Sequence, residues 1–443
     1  MTTSTAQPPT DAARRRAARF SDEGWSVGVV GLGYVGLPLA VTAAQRGLEV
    51  IGFDVDARRI EQLSGGSSPV EDVTDAELGT ALDAGARFTD DETALAEVDA
   101  ILIAVPSPLG RNRQPDMSFI EAAAATVARI ARPGQLISLE STTYPGTTED
   151  HLLPAVAAAG LTLDHDVFVA FSPERVNPGS TLSTAAIPKV VGGVTPSSGL
   201  VAAAAYRRLV DTVHEVSSAR TAELAKLLEN TYRAVNIAMV NELAQVAHVF
   251  DIDIWEVVEA AASKPFGFEP FHPGPGVGGH CIPLDPQFLA WRARELRVPT
   301  RFIDLAEDVN VHMPAYVVQR IADLLNHDGL ALARSRILGV GAAYKRDVDD
   351  DRESPAIDVL YALAARGASV SVIDSHVPTE RLARHGFPVL DDLDGVAGHD
   401  LAVVLTDHAA FDYAALAEAV PRVFDTRGVY RRLRLSAPGV TAL

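Results

Sequence analysis

From Trp25 onward, short β-branched runs alternate with longer Ala- and Leu-rich stretches, and this alternation constrains the fold more than any other feature. It predicts parallel strands joined by helices that cover both faces of a sheet. Val27–Val30, Glu49–Phe53, Ala100–Val105, Gln135–Leu139, Val167–Ala170 and Lys189–Val191 read as successive strands, with a first domain ending near residue 215. The pattern breaks over residues 217–249, where Leu224, Leu227, Leu228, Val235 and Leu243 recur at helical spacing. A helix of roughly 30 residues spans about 45 Å, which is too long for a crossover and suits a dimer surface. A Pro/Gly-rich stretch follows at 264–286, then a helical one from about 301 to 326. At Ser335 the alternation restarts, with Arg336–Val340, Ser369–Ile373, Leu401–Leu405 and Arg422–Phe424 as strands. The expected class is α/β: two doubly wound domains joined by a long central helix.

The composition, 443 residues with 47% hydrophobic and 22% charged, supplies sizeable cores. Lys and Arg number 38 against 58 Asp and Glu, a formal charge of −20. That balance argues against nucleic acid or an anionic membrane as partner and leaves room only for a local basic pocket. No apolar run approaches the ~18 residues of a membrane span. Arg14, Arg15 and Arg16 are followed by no signal-like apolar core, so residues 1–24 read as a flexible arm. The single cysteine, Cys281, excludes an intramolecular disulfide and multi-cysteine metal sites. No metal is expected, and the compartment expected is the reducing cytoplasm.

Gly31-Leu32-Gly33-Tyr34-Val35-Gly36 follows the first strand and opens a helix, and Asp54 closes the second strand 18 residues after Gly36. A dinucleotide fingerprint requires that context. Gly31 permits the tight turn, Gly33 lets the backbone approach a pyrophosphate, and Gly36 lets helix pack on sheet. Asp54 would accept from ribose hydroxyls and repel a 2′-phosphate, so NAD is expected rather than NADP, with Arg59 near adenine or ribose. Ligands in such sheets sit at the carboxyl ends of strands, which puts Pro106, Ser107, Ser141 and Thr142 at the nicotinamide end. The α/β domains are therefore expected to be Rossmann-like. Residues 25–215 would bind NAD, 216–328 would form a central helical dimerisation domain, and 329–443 the second α/β domain.

Cys281 lies between Phe271 and Asp285 after four glycines at 274, 276, 278 and 279. A glycine-rich loop exposes N–H groups and lets a ligand approach main chain, so Gly276 and Gly278 are candidate substrate contacts. A lone cysteine is more often a small buried hydrophobe; after such a loop it reads as a nucleophile. In an NAD enzyme this suggests addition of thiolate to an aldehyde, loss of hydride, and hydrolysis of the thioester. Lys226 and Asn230 are four apart on the long helix and share a face, where a cation and an amide can stabilise a developing alkoxide. Asp285 is placed in sequence to position or deprotonate water. His280 reads as structural or substrate-shaping.

These segments resemble a known family. GLGYVG, ESTTYPGTT (140–148), FSPERVNPG (171–179), IPKVVGG (187–193), KLLENTYRAVNIAMVNE (226–242), GPGVGGHCIPLDP (274–286), AYKRDVDDDRESPA (343–356) and DTR (425–427) are similar, in order, to the nucleotide-sugar 6-dehydrogenases of the UDP-glucose/GDP-mannose dehydrogenase family. The resemblance implies oxidation of the C6 alcohol of a UDP-hexose to a carboxylate with two NAD. It implies that Cys281 is the nucleophile, that Lys226 and Asn230 stabilise oxyanions and hold the sugar, and that Asp285 assists water and proton transfer. Thr142 and Glu174 would position water or act as acid/base groups. Arg175, Phe271, Tyr344, Lys345 and Arg427 would contact nucleotide or sugar, with 329–443 as the UDP-sugar domain, and Arg352 would reach the cofactor.

Ser141-Thr-Thr-Tyr-Pro, Pro173-Glu-Arg-Val-Asn-Pro and His280-Cys-Ile-Pro-Leu-Asp look like the UDP-N-acetylhexosamine branch, UDP-N-acetylglucosamine before UDP-N-acetylmannosamine, with UDP-glucose as runner-up. Pro178 stands where the UDP-glucose branch has a second acid. Ser107 and Asp351 depart from the Thr and the apolar residue expected there. Two competing readings are a catalytically silent nucleotide-binding homologue, which the set Cys281, Lys226, Asn230 and Asp285 argues against, and a two-electron β-hydroxyacid dehydrogenase, which needs neither cysteine nor second α/β domain.

Overall fold

The computed structural model describes residues 8–22, 24–70, 72–110, 114–176 and 183–443. Two sheets form the framework. The first has eight strands: β1 Ser26–Val30, β2 Glu49–Phe53, β3 Arg87–Thr89, β4 Ala100–Ile103, β5 Leu136–Leu139, β6 Phe168–Phe171, β7 Lys189–Gly193 and β8 Val213–Val216. The second has five: β9 Arg336–Val340, β10 Ser369–Ile373, β11 Leu401–Val404, β12 Val423–Asp425 and β13 Val440–Ala442. The orders are β3-β2-β1-β4-β5-β6-β7-β8 and β10-β9-β11-β12-β13, so the α/β class expected from the alternation is the class observed.

The strands read as unbroken apolar runs because both faces are covered. Val27, Val29, Val50, Leu102 and Leu136 enter one core, while their neighbours Val30, Ile51, Ile101, Ile103 and Ile137 enter the other. In the second sheet Ile337, Val372 and Val403 face one core, and Leu338, Ile373 and Val404 the opposite one. One pairing departs from the parallel expectation. β6 runs antiparallel to β7, with Ala170 opposite Gly193 and Phe171 opposite Gly192. A parallel neighbour needs a crossover of a dozen or more residues, usually helical, and among the described residues the β6–β7 connection carries only the 3₁₀ turn Thr184–Ala186.

The chain divides into two compact units. One comprises the chain to Glu229 together with Gln287–Arg297, and the other Asn230–Pro286 and Val298–Leu443. The stretch 216–328, expected as a separate domain, is thus shared between them. The long helix runs from Ala219 to Val249, within two residues of its expected start.

Part of the supposed flexible arm is ordered structure, which corrects that expectation. Asp11–Ser21 is a helix capped by Thr10, whose side chain accepts from Ala13 N–H. Ala13, Ala17 and Phe20 recur at i, i+4 and i+7 and are buried in the first core. Phe20 meets Trp25 edge-on at 4.8 Å, and Arg16 donates to Asp99 at 2.8 Å. The arginine run drew attention to charge and hid a short apolar stripe made mostly of alanine. Residues 1–7 lie outside the described residues.

Candidate active site

In the first sheet the order reverses between β1 and β4, the switch point at which such sheets bind ligands. Gly31, at φ +88°, turns the chain there, and a Cβ on it would lie 2.7 Å from the Ala104 carbonyl. Gly36 starts the helix Gly36–Gln45, and its Cβ would lie 1.8 Å from the Gly31 carbonyl. A Cβ at Gly33 would meet nothing within 4 Å, so the turn has open space beside it. Val35 gives the helix no side-chain cap and its first turn holds no acid, which leaves N–H donors and the positive helix end for an anion. Tyr34 is exposed and Val35 half-buried.

Asp54 is 5% exposed. Its Oδ2 accepts from Leu32 N–H at 2.9 Å and from Arg59 Nη1 at 2.8 Å, and its Oδ1 from Asp56 N–H at 3.0 Å. One carboxylate thus locks the end of β2 to the glycine turn and orients Arg59. Oδ1, with one protein donor, has acceptor capacity for a ribose hydroxyl. The described residues fit an NAD. Across the crevice Ser141 donates to the Val105 carbonyl at 2.7 Å, tying the ends of β4 and β5 beside exposed Pro106 and half-buried Ser107 and Thr142.

Glu174 is built into the interior. Its Oε2 pairs with Lys189 Nζ at 2.9 Å, and its Oε1 accepts from Arg175 and Val176 N–H at 2.7 Å each. Lys189 also bonds Glu140, whose other oxygen takes the Tyr206 hydroxyl. Glu140, Lys189 and Tyr206 are at most 2% exposed. Burial pushes both carboxyls up; at Glu174 Lys189 and the two N–H groups outweigh it and the carboxyl ends low, whereas Glu140 ends high. Two buried carboxyls share one ammonium, so Glu140 is the member that holds a proton most readily. Sequence reasoning found Glu174 but not this network; its signal was a charged residue just after one strand-like run and at the start of another. Arg175, expected at substrate, is held by Glu229 at 2.7 Å and the Pro188 carbonyl at 2.8 Å. Asn177, Pro178 and Gly179 of the same segment lie outside the described residues. Lys226 is in this unit and is 8% exposed.

The second unit holds the cysteine loop. Cys281 is exposed and in no disulfide, and its carbonyl accepts from Asp285 N–H at 2.9 Å where the helix Asp285–Glu295 begins. Asp285 is 2% exposed, and Asn230 Nδ2 donates to its carboxylate. Asn230 and Asp285 therefore meet through their side chains, and Cys281 lies one backbone turn before Asp285. Backbone, proline and ring atoms close against three of these glycines, and a movable guanidinium against the fourth. A Cβ at Gly278 would stand 2.5 Å from the Glu353 carbonyl, one at Gly279 2.7 Å from the Tyr344 ring, one at Gly276 2.9 Å from Pro355, and one at Gly274 2.8 Å from the Arg427 guanidinium. Half-buried Tyr344 and Lys345 follow β9 and Arg427 follows β12, at the carboxyl edge of the second sheet near its own β9/β11 reversal. Arg352 is paired to Asp350 at 2.7 and 2.8 Å.

Phe271 packs on the apolar cluster of Val240, Trp255 and Val258 and edge-on to Tyr232 at 5.8 Å. An amide ladder missed in the sequence anchors the loop: Asn241 accepts from Gly274 N–H at 3.0 Å and donates to Asn310 at 3.0 Å, and Asn310 donates to the Ala234 carbonyl at 3.1 Å. An Asn on the apolar face of each helix was the available signal. Asp347, His376 and His408 offer ligand atoms within 4.8 Å of one another. Both His408 nitrogens are already engaged, by Asp347 N–H at 2.9 Å and Asp374 at 3.0 Å, and the His376 ring stacks on His408 at 4.4 Å.

Three profiles of one family match the chain in order: the UDP-glucose/GDP-mannose dehydrogenase NAD-binding domain over residues 25–210, its central domain over 220–312 and its UDP-binding domain over 338–432. An NDP-N-acetyl-D-galactosaminuronic acid dehydrogenase of Ralstonia nicotianae is 36% identical over 427 residues, 93% of this chain and 98% of that one. A UDP-N-acetyl-D-glucosamine 6-dehydrogenase of Pseudomonas aeruginosa is 35% identical over 357 residues, 80% and 83% of the two chains. The solved UDP-D-ManNAc dehydrogenase of Pyrococcus horikoshii superposes with a TM-score of 0.85 at 30% identity, covering 94% of this chain and 98% of that one. An NAD cradle in one unit, a thiol loop in the other and three consecutive domain matches lead to one conclusion: the chain is an NAD-dependent nucleotide-sugar dehydrogenase of the UDP-glucose/GDP-mannose dehydrogenase family.

Proposed function

We propose that the protein oxidises the C6 alcohol of a UDP-N-acetylhexosamine to the uronate in two steps, through a covalent adduct on Cys281. The observation that carries this is the exposed Cys281 thiol at the head of a helix whose first residue, Asp285, is buried and held by Asn230. Gly31, Gly33, Gly36, Asp54 and Arg59 would hold NAD, which would supply the hydride acceptor for each oxidation. Thr142 and the anchored Glu174 carboxylate order a water that takes the alcohol proton and releases it to solvent. Lys226 and Asn230 stabilise the alkoxide and then the tetrahedral adduct. The Cys281 thiolate adds to the aldehyde carbon; after the second oxidation, water positioned by Asp285 displaces the thiolate from the thioester. The balance is one alcohol, one water and two oxidised cofactors giving carboxylate, two reduced cofactors and three protons. Tyr344, Lys345 and Arg427 hold the diphosphate side, and Arg352 is assigned to the cofactor.

Among the sugars, the branch motifs point first to UDP-N-acetylglucosamine. A second reading, an N-acetylmannosamine or N-acetylgalactosamine nucleotide, is favoured by the names of the Pyrococcus and Ralstonia relatives. Incubation with these three UDP-sugars and UDP-glucose, following NADH, tests both. Two NADH per sugar from an N-acetyl sugar is expected, and turnover of UDP-glucose alone sinks the proposal. We also propose a homodimer through the long helix, which leaves Leu224, Leu228, Met239, Leu243 and Val246 more than 40% exposed. Among the described residues no helix is long and apolar enough to cross a membrane; the reducing cytoplasm is the proposed compartment.

A further inference from the structure

One buried side chain that the chemistry above does not use ties the loop after β5 to the helix turn carrying Lys226. Glu223 lies three residues before Lys226 on the same helix face and is fully buried. Its Oε2 accepts from Gly146 N–H at 2.6 Å, and its Oε1 from Thr148 N–H at 2.9 Å and the Thr148 hydroxyl at 2.7 Å. These donors stand where the Ser141–Pro145 segment turns, through Gly146 at φ +106°, into the helical segment starting at Thr148. Thr147, in the capping position, provides no side-chain cap. Glu223 supplies it from another element.

The residue type follows from the surroundings. Every group hydrogen-bonded to the carboxylate is a donor, and a carboxylate is a pure acceptor, whereas a glutamine would turn its own N–H₂ against one of them. Arg220, one turn earlier, is committed to Glu149 at 3.0 Å. Burial pushes the Glu223 carboxyl up and the three donors pull against it. A buried carboxylate in such a setting is costly unless its donors stay in place, so the contact specifies geometry tightly. On the next turn Leu227 packs with Tyr144 and Phe288, so the loop is pinned to the helix on either side of Lys226.

We propose that Glu223 is a positioning residue that sets the register of the Thr142-bearing loop against the Lys226 turn of the long helix. Its effect on turnover rests on the roles proposed above for Thr142 and Lys226; the register itself does not. The test uses full-length Glu223→Gln, Glu223→Asp and Thr148→Val, read by amide hydrogen exchange over residues 141–152 and by steady-state kinetics. In Glu223→Gln, exchange at Gly146 and Thr148 should accelerate at least ~tenfold while β5 amides stay protected. The kcat should fall at least ~tenfold with KM for the nucleotide sugar within ~threefold, because small misplacements act on the transition state. Glu223→Asp, one methylene short, should fall between this and wild type, and Thr148→Val, which keeps both N–H donors, should lose less than ~threefold. A folded Glu223→Gln with a lower melting temperature but wild-type kcat would make the residue merely structural and overturn the proposal. Should Glu223→Gln not fold, wild-type exchange and kcat in Glu223→Asp would overturn it equally. If the wild type oxidises no nucleotide sugar, the functional reading fails by itself, and the exchange arm decides the register: unchanged protection refutes it.

Discussion

At the scale of single residues, the glycines carry the clearest consequences. Gly36→Ala would drive a methyl group into the Gly31 carbonyl, 1.8 Å from its ideal position, so the fingerprint turn must open. We expect NAD affinity to fall more than ~tenfold, or 1.4 kcal/mol, measured by quenching of intrinsic fluorescence; unaltered affinity would mean that the turn is not the cofactor cradle. Lys189→Met leaves Glu140 and Glu174 buried without their shared cation. Breaking a buried pair in this way costs about 3–5 kcal/mol, to be read from urea denaturation, and a loss under ~1 kcal/mol would show that the network is dispensable. The glycines, Asp54, Cys281 and Asp285 were legible in the sequence because each has a short local context that few other roles satisfy. Glu140, Lys189, Asn241 and Asn310 were not. Their partners lie 15 to 76 residues away, and a charged residue beside a strand-like run or an Asn on an apolar helix face is too weak a local signal to identify them.

At the scale of elements, the strands with several consecutive apolar residues were readable and the short edge strands were not. β3 and β13 have three residues each, and β8 is Val-His-Glu-Val with two exposed polar side chains. Such segments join a sheet because a neighbour offers its edge. The N-terminal helix has the same character: its stripe of two alanines and Phe20 has too little apolar surface to stand alone. Phe20→Ala removes a fully buried ring and should cost ~3–5 kcal/mol in the unfolding of the first unit. A loss below ~1 kcal/mol would return the segment to the status of a loose arm. The long helix, by contrast, announced itself through its length and stripe, and its exposed apolar residues call for a partner. Met239→Glu with Leu243→Glu should convert a dimer to monomers in light scattering. A wild type that is monomeric at micromolar concentration would end the dimer proposal.

At the scale of the whole molecule, charge and acid stability come together in the second sheet. Burial alone would raise the Asp374 carboxyl, but His408 and the N–H groups of Ala342 and Val377 outweigh it and hold it at about 2. A depressed carboxyl contributes stability that is present above its unfolded value near 4 and is lost as pH falls through the folded one. The contribution, on the order of 2 kcal/mol, should therefore disappear between about pH 4 and pH 2. Denaturation of wild type and Asp374→Asn across that range should converge as pH falls, and parallel curves would remove Asp374 from the acid response. The net charge of −20 said little about the ligand, because in the proposed reading recognition rests on Lys345, Arg427 and Lys226 rather than on the sum. The sequence by itself determined the α/β class, the succession of two α/β segments along the chain, the dinucleotide turn and the position of the thiol after a glycine run, since each is encoded by neighbours within one strand–turn–helix or one glycine run. Only the tertiary structure decided the antiparallel β6–β7 step, the packing of the N-terminal helix, the burial of Glu174 against Lys189 and the grip of Glu223 on the β5 loop. Those depend on which distant donors and apolar faces the fold brings together, and a buried charge or a three-residue strand gains its meaning only from that company.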